Sequence, residues 1–372
     1  MIRQQILKAS LSLITAFTPV ISIAAGGDTP DETPWTPEKI RQVYGIDKIR
    51  QQGLQGEGQF IAVGALGTPD LSKVRDYAQK YGLPQPQIEI RRVNPGAPKS
   101  DPNFSSECEI DIEMILAVAP LAHILVFVWD GDAFSGPFSI AQAITADGRA
   151  KVASYSYNYC ESDDWNEDIR SNEITLEKAQ QNGLNFFVAA GDSFHPCPEK
   201  YMPYPATSPN VIAVGATTMQ SSQQYAWSFT VGGPSTNAIE PDFQHGIEPI
   251  THSGHRVIPD LSFGGGNWVF ANAEVNGWQK ATGTSLSTPL LAALMVLVNE
   301  ARQTKHRPTL GYLNPILYAM SANDHNAIFF PTLGGSNGRY SVPPNQTAAD
   351  WNFLTGWGAP HADALLEYLV KQ

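Results

Sequence analysis

The chain has 372 residues, of which 42% are hydrophobic, so it is long enough to bury one large core or two small ones. Its formal net charge of −12 and its pI of about 5.1 argue against nucleic acid as a partner, because phosphates would be repelled. Three cysteines are too few for a disulfide-rich scaffold, but they are compatible with an exported protein.

Residues 1–25 have the layout of a secretory signal peptide. Arg3 and Lys8 precede an apolar and uncharged run over 9–25, which ends in small residues that permit cleavage. The run is short for a membrane span and contains Pro19, although an uncleaved anchor is the alternative. We therefore predict a protein that is secreted or periplasmic and that makes no membrane contact after cleavage.

From residue 26 onwards, apolar strand patterns alternate with helical patterns. The strand patterns lie at 59–66, 88–93, 123–129, 151–157, 185–190 and 211–217, and the helical patterns at 71–82, 106–120, 138–146 and 168–182. This alternation predicts an α/β fold with a mostly parallel sheet, whose functional groups gather at the carboxyl ends of the strands. No repeat or low-complexity linker interrupts the pattern, so residues 26–372 are predicted to form one domain.

Two of the three cysteines follow strand patterns by a few residues. If the strands before Cys160 and Cys197 lie side by side and parallel, the two thiols could meet and form a disulfide. Cys108 would then remain a free thiol.

A candidate nucleophile, Ser285, stands in the segment 281-ATGTSLSTPLLAAL-294. Thr288 and Pro289 indicate a helix start, which would place Ser285 near the positive end of a helix dipole. On spacing alone a capping or turn serine is the favoured interpretation, and the G-x-S-x-G elbow is absent because Ser287 replaces its second glycine. The apolar run at 289–298 predicts a core helix rather than a membrane span.

The base for such a serine is not evident among the eight histidines, and the absence of H-E-x-x-H excludes a zincin. Glu107 and Asp111 are more informative, since their i,i+4 spacing puts them on one face of a helix, where they would share a proton. Glu109 and Glu113 form a second such pair, offset around the helix. Either pair could instead be a solvated face.

Asp192 is the third candidate, because an apolar strand in 188-VAAGDSF-194 ends in Gly-Asp-Ser at a carboxyl edge. A turn aspartate is the structural alternative.

In their order and spacing, the segments that contain Glu107, Asp111, Asp192 and Ser285 together resemble the sedolisin family of serine-carboxyl peptidases. The resemblance runs from about residue 35 to the C-terminus and rests on E-x-x-x-D at Glu107–Asp111, the Gly191–Asp192 turn and GTS-x-x-x-P at Gly283–Pro289. Supporting parts are TPEKIRQVYGI (36–46), the R-x-x-PD of Arg256, Pro259 and Asp260, and TGWGAP (355–360).

This resemblance implies a subtilisin-like three-layer fold, with a mostly parallel central sheet flanked by helices. It also implies that Ser285 is the nucleophile, that Glu107 is the general base oriented by Asp111, and that Asp192 helps to form the oxyanion hole. We therefore expect a monomeric endopeptidase acting on proteins or peptides. Activity is expected at acid pH, because a carboxylate base has an ordinary pKa of about 4.3 and Asp192 donates only while protonated.

The segment 154-SYSYNYCES-162 occupies the place where the family has a strand leading to the substrate cleft. Tyr157, Asn158 and Glu161 are therefore the predicted substrate-binding residues. Sedolisins commonly have Trp-Gly where this chain has Tyr157 and Asn158, so its subsite preference is expected to differ.

The sequence departs from the family in two ways. Sedolisins usually carry a long pro-region, whereas here the catalytic domain begins soon after the predicted cleavage site, so no attached pro-region is expected. The family also binds calcium late in the chain, but its carboxylate positions fall on Pro331 and Asn352. Calcium needs oxygen ligands, preferably charged, so we predict weak or absent calcium binding and no required cofactor.

Two alternatives are weighed against this interpretation. A subtilisin with a Ser-His-Asp triad would need an early His-Gly-Thr and an aspartate on the first strand. The chain has only His245-Gly246, late in the sequence, and Ala65 on that strand, so this alternative is disfavoured. A non-catalytic peptide-binding protein on a peptidase fold remains the second candidate, because a fold does not determine a function.

Overall fold

The computed structural model describes residues 33–94, 102–129, 136–161, 167–193, 197, 201–274 and 277–372. The predicted signal peptide, residues 1–25, lies outside the described residues.

A seven-strand path of parallel neighbours forms the centre of the molecule. Its order is β12-β8-β6-β4-β1-β3-β2, and β9 pairs antiparallel with β8. The described strands are β1 (Phe60–Ala65), β2 (Gln87–Arg92), β3 (His123–Val128), β4 (Val152–Tyr155), β5 (Tyr159–Cys160), β6 (Asn185–Ala189), β7 (Pro203–Tyr204), β8 (Ile212–Gln220), β9 (Gln223–Ala226), β10 (Gly233–Ile239), β11 (His255–Ile258), β12 (Leu261–Phe263), β13 (Val269–Glu274) and β14 (Gly277–Ala281). The predicted parallel sheet is therefore confirmed.

Helices cover both faces of this sheet. They are α1 (Pro37–Tyr44), α2 (Ile46–Arg50), α3 (Leu71–Lys80), α4 (Pro102–Val118), α5 (Gly136–Asp147), α6 (Glu167–Gln181), α7 (Thr284–Thr304), α8 (Leu313–Tyr318), α9 (Ala322–Ile328) and α10 (Ala362–Leu369). Alternate residues of β1 enter different cores: Ile61 and Val63 lie in the core shared with α4 and α7, and Ala62 lies in the core shared with α5 and α6. This alternation follows from the period of two in a strand, and it produces the expected three-layer architecture.

Helix α7 is the central buried helix. It is apolar and long enough to cross a membrane, but 94% of its most apolar window is buried inside the protein, as predicted for a core helix. It begins at Thr284, so the predicted start at Thr288 and Pro289 was wrong. The reason is tertiary: Gly283 adopts a φ of 148°, and the side chain of Asp192 accepts the first helical N–H, so the helix forms one turn earlier.

Cys160 and Cys197 form a disulfide with a Cα–Cα distance of 5.3 Å, which confirms the predicted pairing. The strands that precede the two cysteines, β4 and β6, lie next to each other and run parallel in the sheet. Cys108 is a buried free thiol on α4, as expected.

A fully buried ion pair joins β11 to the residue that precedes β12. The Arg256 guanidinium lies 2.6 Å from the Asp260 carboxylate, and neither side chain is exposed to solvent. The same carboxylate accepts the Ala213 N–H at 2.8 Å and the Tyr318 hydroxyl at 2.9 Å. It therefore connects β8, β11 and α8 as well as the R-x-x-PD segment itself.

Replacing Asp260 with alanine leaves this guanidinium buried without its partner. We expect the Asp260→Ala variant to lose about 3–5 kcal/mol of unfolding free energy in chemical denaturation. The matched control is Lys48→Ala, which breaks the exposed Lys48–Asp363 pair and should leave the unfolding midpoint unchanged. Equal midpoints for Asp260→Ala and the unsubstituted protein would show that the ion pair does not stabilise the fold.

Candidate active site

Three elements bring the predicted catalytic residues to one edge of the sheet. Glu107 and Asp111 lie on α4, and Ser285 is the second residue of α7. Asp192 follows β6 at its carboxyl end, and β4 ends nearby in the adjacent strand. The structure therefore places the site at the carboxyl edge of a parallel sheet, where such folds concentrate functional groups.

The contact between Ser285 and Glu107 is the centre of the site. The Ser285 hydroxyl lies beside the Glu107 carboxyl, which is only 5% exposed. Burial raises the pKa of Glu107 from its ordinary value of 4.5 to about 7, against the lowering effect of the nearby Ser285 hydroxyl. The nearby charge of Asp192 raises it further. A carboxylate with this pKa is a much better proton acceptor than an exposed glutamate.

Asp111 is completely buried behind Glu107. Ser156, just beyond β4, donates a hydrogen bond of 2.7 Å to Asp111 Oδ1. Burial, followed by the charge of Glu107, raises the pKa of Asp111 well above its ordinary range. Within the described residues, neither Asp111 Oδ2 nor Glu107 Oε1 has a hydrogen-bond donor. A single proton held between the two carboxyls would satisfy both oxygens, as predicted from their i,i+4 spacing.

Asp192 is fixed by the first residue of α7. Its Oδ1 accepts the Thr284 N–H at 3.0 Å and the Thr284 hydroxyl at 2.7 Å. Its Oδ2 lies against Gly283, where a Cβ would come within 2.9 Å of the oxygen. Burial raises the pKa of Asp192 to about 6, and the two Thr284 hydrogen bonds oppose this shift. Glycine at position 283 thus allows both the positive φ and the close approach of the carboxyl.

The three predicted substrate-binding residues have different surroundings. Tyr157 is buried and donates its hydroxyl to the Phe104 carbonyl, while Asn158 donates to the Ala189 carbonyl beside the Gly191 turn. Glu161 is 2% exposed, and its carboxylate accepts hydrogen bonds from Ser235, Thr236 and Met202. This carboxylate holds β10 in place. A direct contact of any of the three with a substrate remains a prediction.

Two residues that support the site were not predicted. Ser156 holds Asp111, and Thr284 holds Asp192. Ser156 lies near the carboxyl end of the predicted strand pattern at 151–157, so its position at the carboxyl edge was a signal available in the sequence. Thr284 could not be assigned in this way, because its role depends on a contact with a residue 92 positions away.

The late loop does not fit the calcium site implied by the family. Pro331 offers no side-chain oxygen, and the amide nitrogen of Asn352 donates hydrogen bonds to Gln346 and Thr355. The Asn352 amide oxygen accepts the N–H groups of Leu354 and Thr355, so its polar atoms are already occupied. Among the described residues, no cluster of three His, Cys, Asp or Glu side chains is arranged to hold a metal ion.

Comparisons with known proteins bear on the family and the fold of the chain. Residues 97–358, more than half of the chain, match the model of the Subtilase family. The chain is 26% identical over 350 residues to the sedolisin of Pseudomonas sp. (strain 101), a match that covers 83% of this chain and 57% of that protein. It is 31% identical over 225 residues to tripeptidyl-peptidase 1 of Macaca fascicularis, which covers 53% of this chain and 39% of that protein.

The chain thus spans between 39% and 57% of the length of these curated relatives. Among solved structures, it superposes on Pseudomonas sedolisin, a serine-carboxyl proteinase complexed with two molecules of pseudo-iodotyrostatin, with a TM-score of 0.78. The superposition covers 91% of this chain and 99% of that one, at 21% sequence identity, and shows a shared fold. The chain belongs to the subtilase family, and the sedolisin of Pseudomonas is among the proteins that it resembles in sequence and in fold.

Proposed function

We propose that this protein is a serine-carboxyl peptidase that hydrolyses peptide bonds in protein or peptide substrates. The observation that carries the proposal is the close approach of the Ser285 hydroxyl to the buried Glu107 carboxyl. Asp111 stands behind this pair, and Asp192 is fixed beside the helix start that carries Ser285. A nucleophile, a base, an orienting group and an oxyanion donor are therefore present in one place.

In the first half of the reaction, Ser285 Oγ attacks the carbonyl carbon of the scissile peptide bond. Its proton passes to ionised Glu107, while protonated Asp111 donates to Glu107 and holds it in position. The negative charge that develops on the carbonyl oxygen is stabilised by the protonated Asp192 carboxyl and by the Ser285 N–H at the start of α7. Glu107 then returns the proton to the leaving amine, and an acyl-enzyme on Ser285 remains.

In the second half, water attacks the ester carbonyl of the acyl-enzyme and gives a proton to Glu107. The same oxyanion donors stabilise the second tetrahedral intermediate. When the ester bond breaks, Glu107 returns the proton to Ser285 Oγ and the carboxylic acid product leaves. The complete reaction consumes one water molecule for each peptide bond cleaved and requires no cofactor.

The two raised pKa values set the pH range of this chemistry. Glu107 acts as a base only in the fraction that is ionised, and burial raises its pKa to about 7. Asp192 donates only in the fraction that is protonated, and its pKa is raised to about 6. The product of the two fractions is greatest between these values, so we expect a mildly acidic optimum, less acidic than a carboxylate with an ordinary pKa would give.

The products distinguish two modes of cleavage. Internal cleavage is the endopeptidase activity expected from the sequence, whereas release of N-terminal tripeptides would match the activity in the name of one group of relatives.

Tyr157 and Asn158 are the side chains that we expect to shape the subsites, since they follow β4 next to Asp111 and the Gly191 turn. An exported monomer is proposed from the signal-like N-terminal residues and the acidic composition.

The proposal is tested by digesting a peptide library at acid and neutral pH, followed by mass spectrometry. Ser285→Ala should lower turnover by about 10⁴-fold or more, because the covalent step is lost. Ser287→Ala is the matched control, since this buried serine donates only to the Phe263 carbonyl and should keep most of the activity. Cleavage that survives Ser285→Ala would refute the mechanism. Peptide binding without cleavage at any pH would identify the non-catalytic alternative.

We further propose that the fold does not depend on calcium, because hydrogen bonds of Asn352 take the place of a metal in the late loop. Adding calcium or a calcium chelator should leave Tm unchanged, and magnesium serves as the control for general ionic effects. Because a ligand that binds only the folded state stabilises it by mass action, a rise in Tm at micromolar calcium would contradict this proposal.

A further inference from the structure

Helix α4 carries a second pair of buried carboxylates that takes no part in the chemistry. Glu109 is 1% exposed and Glu113 is fully buried, and both face away from Ser285, toward α3 and β13. Burying a carboxyl is costly unless it finds hydrogen-bond donors, so the partners of this pair show what holds α4 in place.

Both oxygens of Glu113 accept the same backbone N–H, that of Asn272 in β13, at 3.2 and 3.0 Å. The Asn272 side chain in turn donates to the Lys73 carbonyl of α3 at 3.1 Å. Lys73 itself extends its ammonium to Glu109, 3.1 Å away. We refer to Glu113, Asn272, Lys73 and Glu109 as the hairpin clamp, because they fasten the β13–β14 hairpin and α3 to α4.

The hairpin held by this clamp leads directly to the nucleophile. β14 ends at Ala281, and Ser285 follows at the start of α7. Asn272 lies opposite Trp278 in the antiparallel register, and Val269 lies opposite Ala281. A shift of β13 would therefore move the end of β14 and the Gly283 turn. The general base lies on the helix at the other end of the clamp.

We propose that Glu113 is a positioning residue that sets the separation of Glu107 and Ser285 through its hydrogen bonds to the Asn272 N–H. The inference rests on the proposed peptidase function for its kinetic consequence, but not for the clamp itself. A purely structural role would give a loss of stability alone. A positioning role also predicts a specific loss of turnover, because about 1 Å of misplacement costs up to about 100-fold in rate.

The variant Glu113→Leu removes the acceptor and keeps a side chain of similar size. We expect kcat to fall by about 10- to 100-fold while KM stays within about twofold, since the substrate cleft is untouched. Glu113→Gln should restore most of kcat, because its amide oxygen still accepts the Asn272 N–H. Burial raises the pKa of Glu113 well above its ordinary range, which favours the neutral form that glutamine imitates.

Glu300→Leu is the matched control for loss of a buried carboxylate. Glu300 accepts the N–H groups of Gly56 and Glu57 at 2.6 and 3.2 Å, near the far end of α7 from Ser285. Its replacement should lower the unfolding midpoint in denaturant about as much as Glu113→Leu, yet leave kcat unchanged. If Glu113→Leu does not fold, Glu113→Asp is the second variant, because it shortens the reach by one methylene and should lower kcat in the same direction.

Hydrogen exchange of residues 269–274 and 277–281 gives a readout that does not require activity. The Asn272 amide should exchange faster in Glu113→Leu than in the unsubstituted protein and in Glu300→Leu. If the unsubstituted protein cleaves no peptide, the proposed function fails. The hydrogen-exchange rates alone then test whether Glu113 holds the β13–β14 hairpin against α4. Unchanged exchange, an unchanged kcat in Glu113→Leu, an equal loss of kcat in Glu300→Leu, or no rescue by Glu113→Gln would each overturn the proposal.

Discussion

Desolvation of the carboxylates on α4 is the constraint on which the rest of the site depends. The helix is packed between α7, α3, β1 and β13, so Glu107, Glu109, Asp111 and Glu113 are all removed from water. Each then needs a donor from another element, and Ser285, Ser156, Lys73 and Asn272 supply hydrogen-bonding groups. One packing arrangement therefore raises the pKa of the proposed base, orients it, and fixes the segment that carries the nucleophile.

The same burial couples stability to pH. A raised carboxyl pKa means that the folded chain keeps a proton that the unfolded chain releases, so stability falls as pH rises from about 4.5 through the folded-state pKa. For Glu107 that value is about 7, and for Asp192 about 6. His325, stacked on Trp357, acts oppositely, because burial lowers its pKa from 6.5 to about 4. Burial also lowers the pKa of His361. Since several carboxylates oppose these two histidines, we expect the fold to be more stable in mild acid than at neutral pH.

The parts of this structure that were predictable from sequence are those with short-range signals. Six of the seven strands on the parallel path, and helices α3 to α6 between them, follow from periodicity. The grouping of Glu107, Asp111, Asp192 and Ser285 is what the resemblance of their motifs to the sedolisins implies. The start of α7 was misplaced because it depends on Asp192 meeting Thr284, a contact absent from local sequence. Likewise, Glu113 and Asn272 are 159 positions apart, so the spacing of Glu109 and Glu113 alone could not distinguish a clamp from a solvated face.

The central claim is that Glu107 is the base and that protonated Asp192 is the oxyanion donor. The most direct test is the pH dependence of kcat/KM for the unsubstituted protein and for Asp192→Asn. Asparagine can keep its oxygen toward Thr284 and donate an N–H from the other side at any pH. We predict a bell-shaped profile with its maximum between about 6 and about 7, and loss of only the alkaline limb in Asp192→Asn. An alkaline limb that persists unchanged in Asp192→Asn would contradict the account.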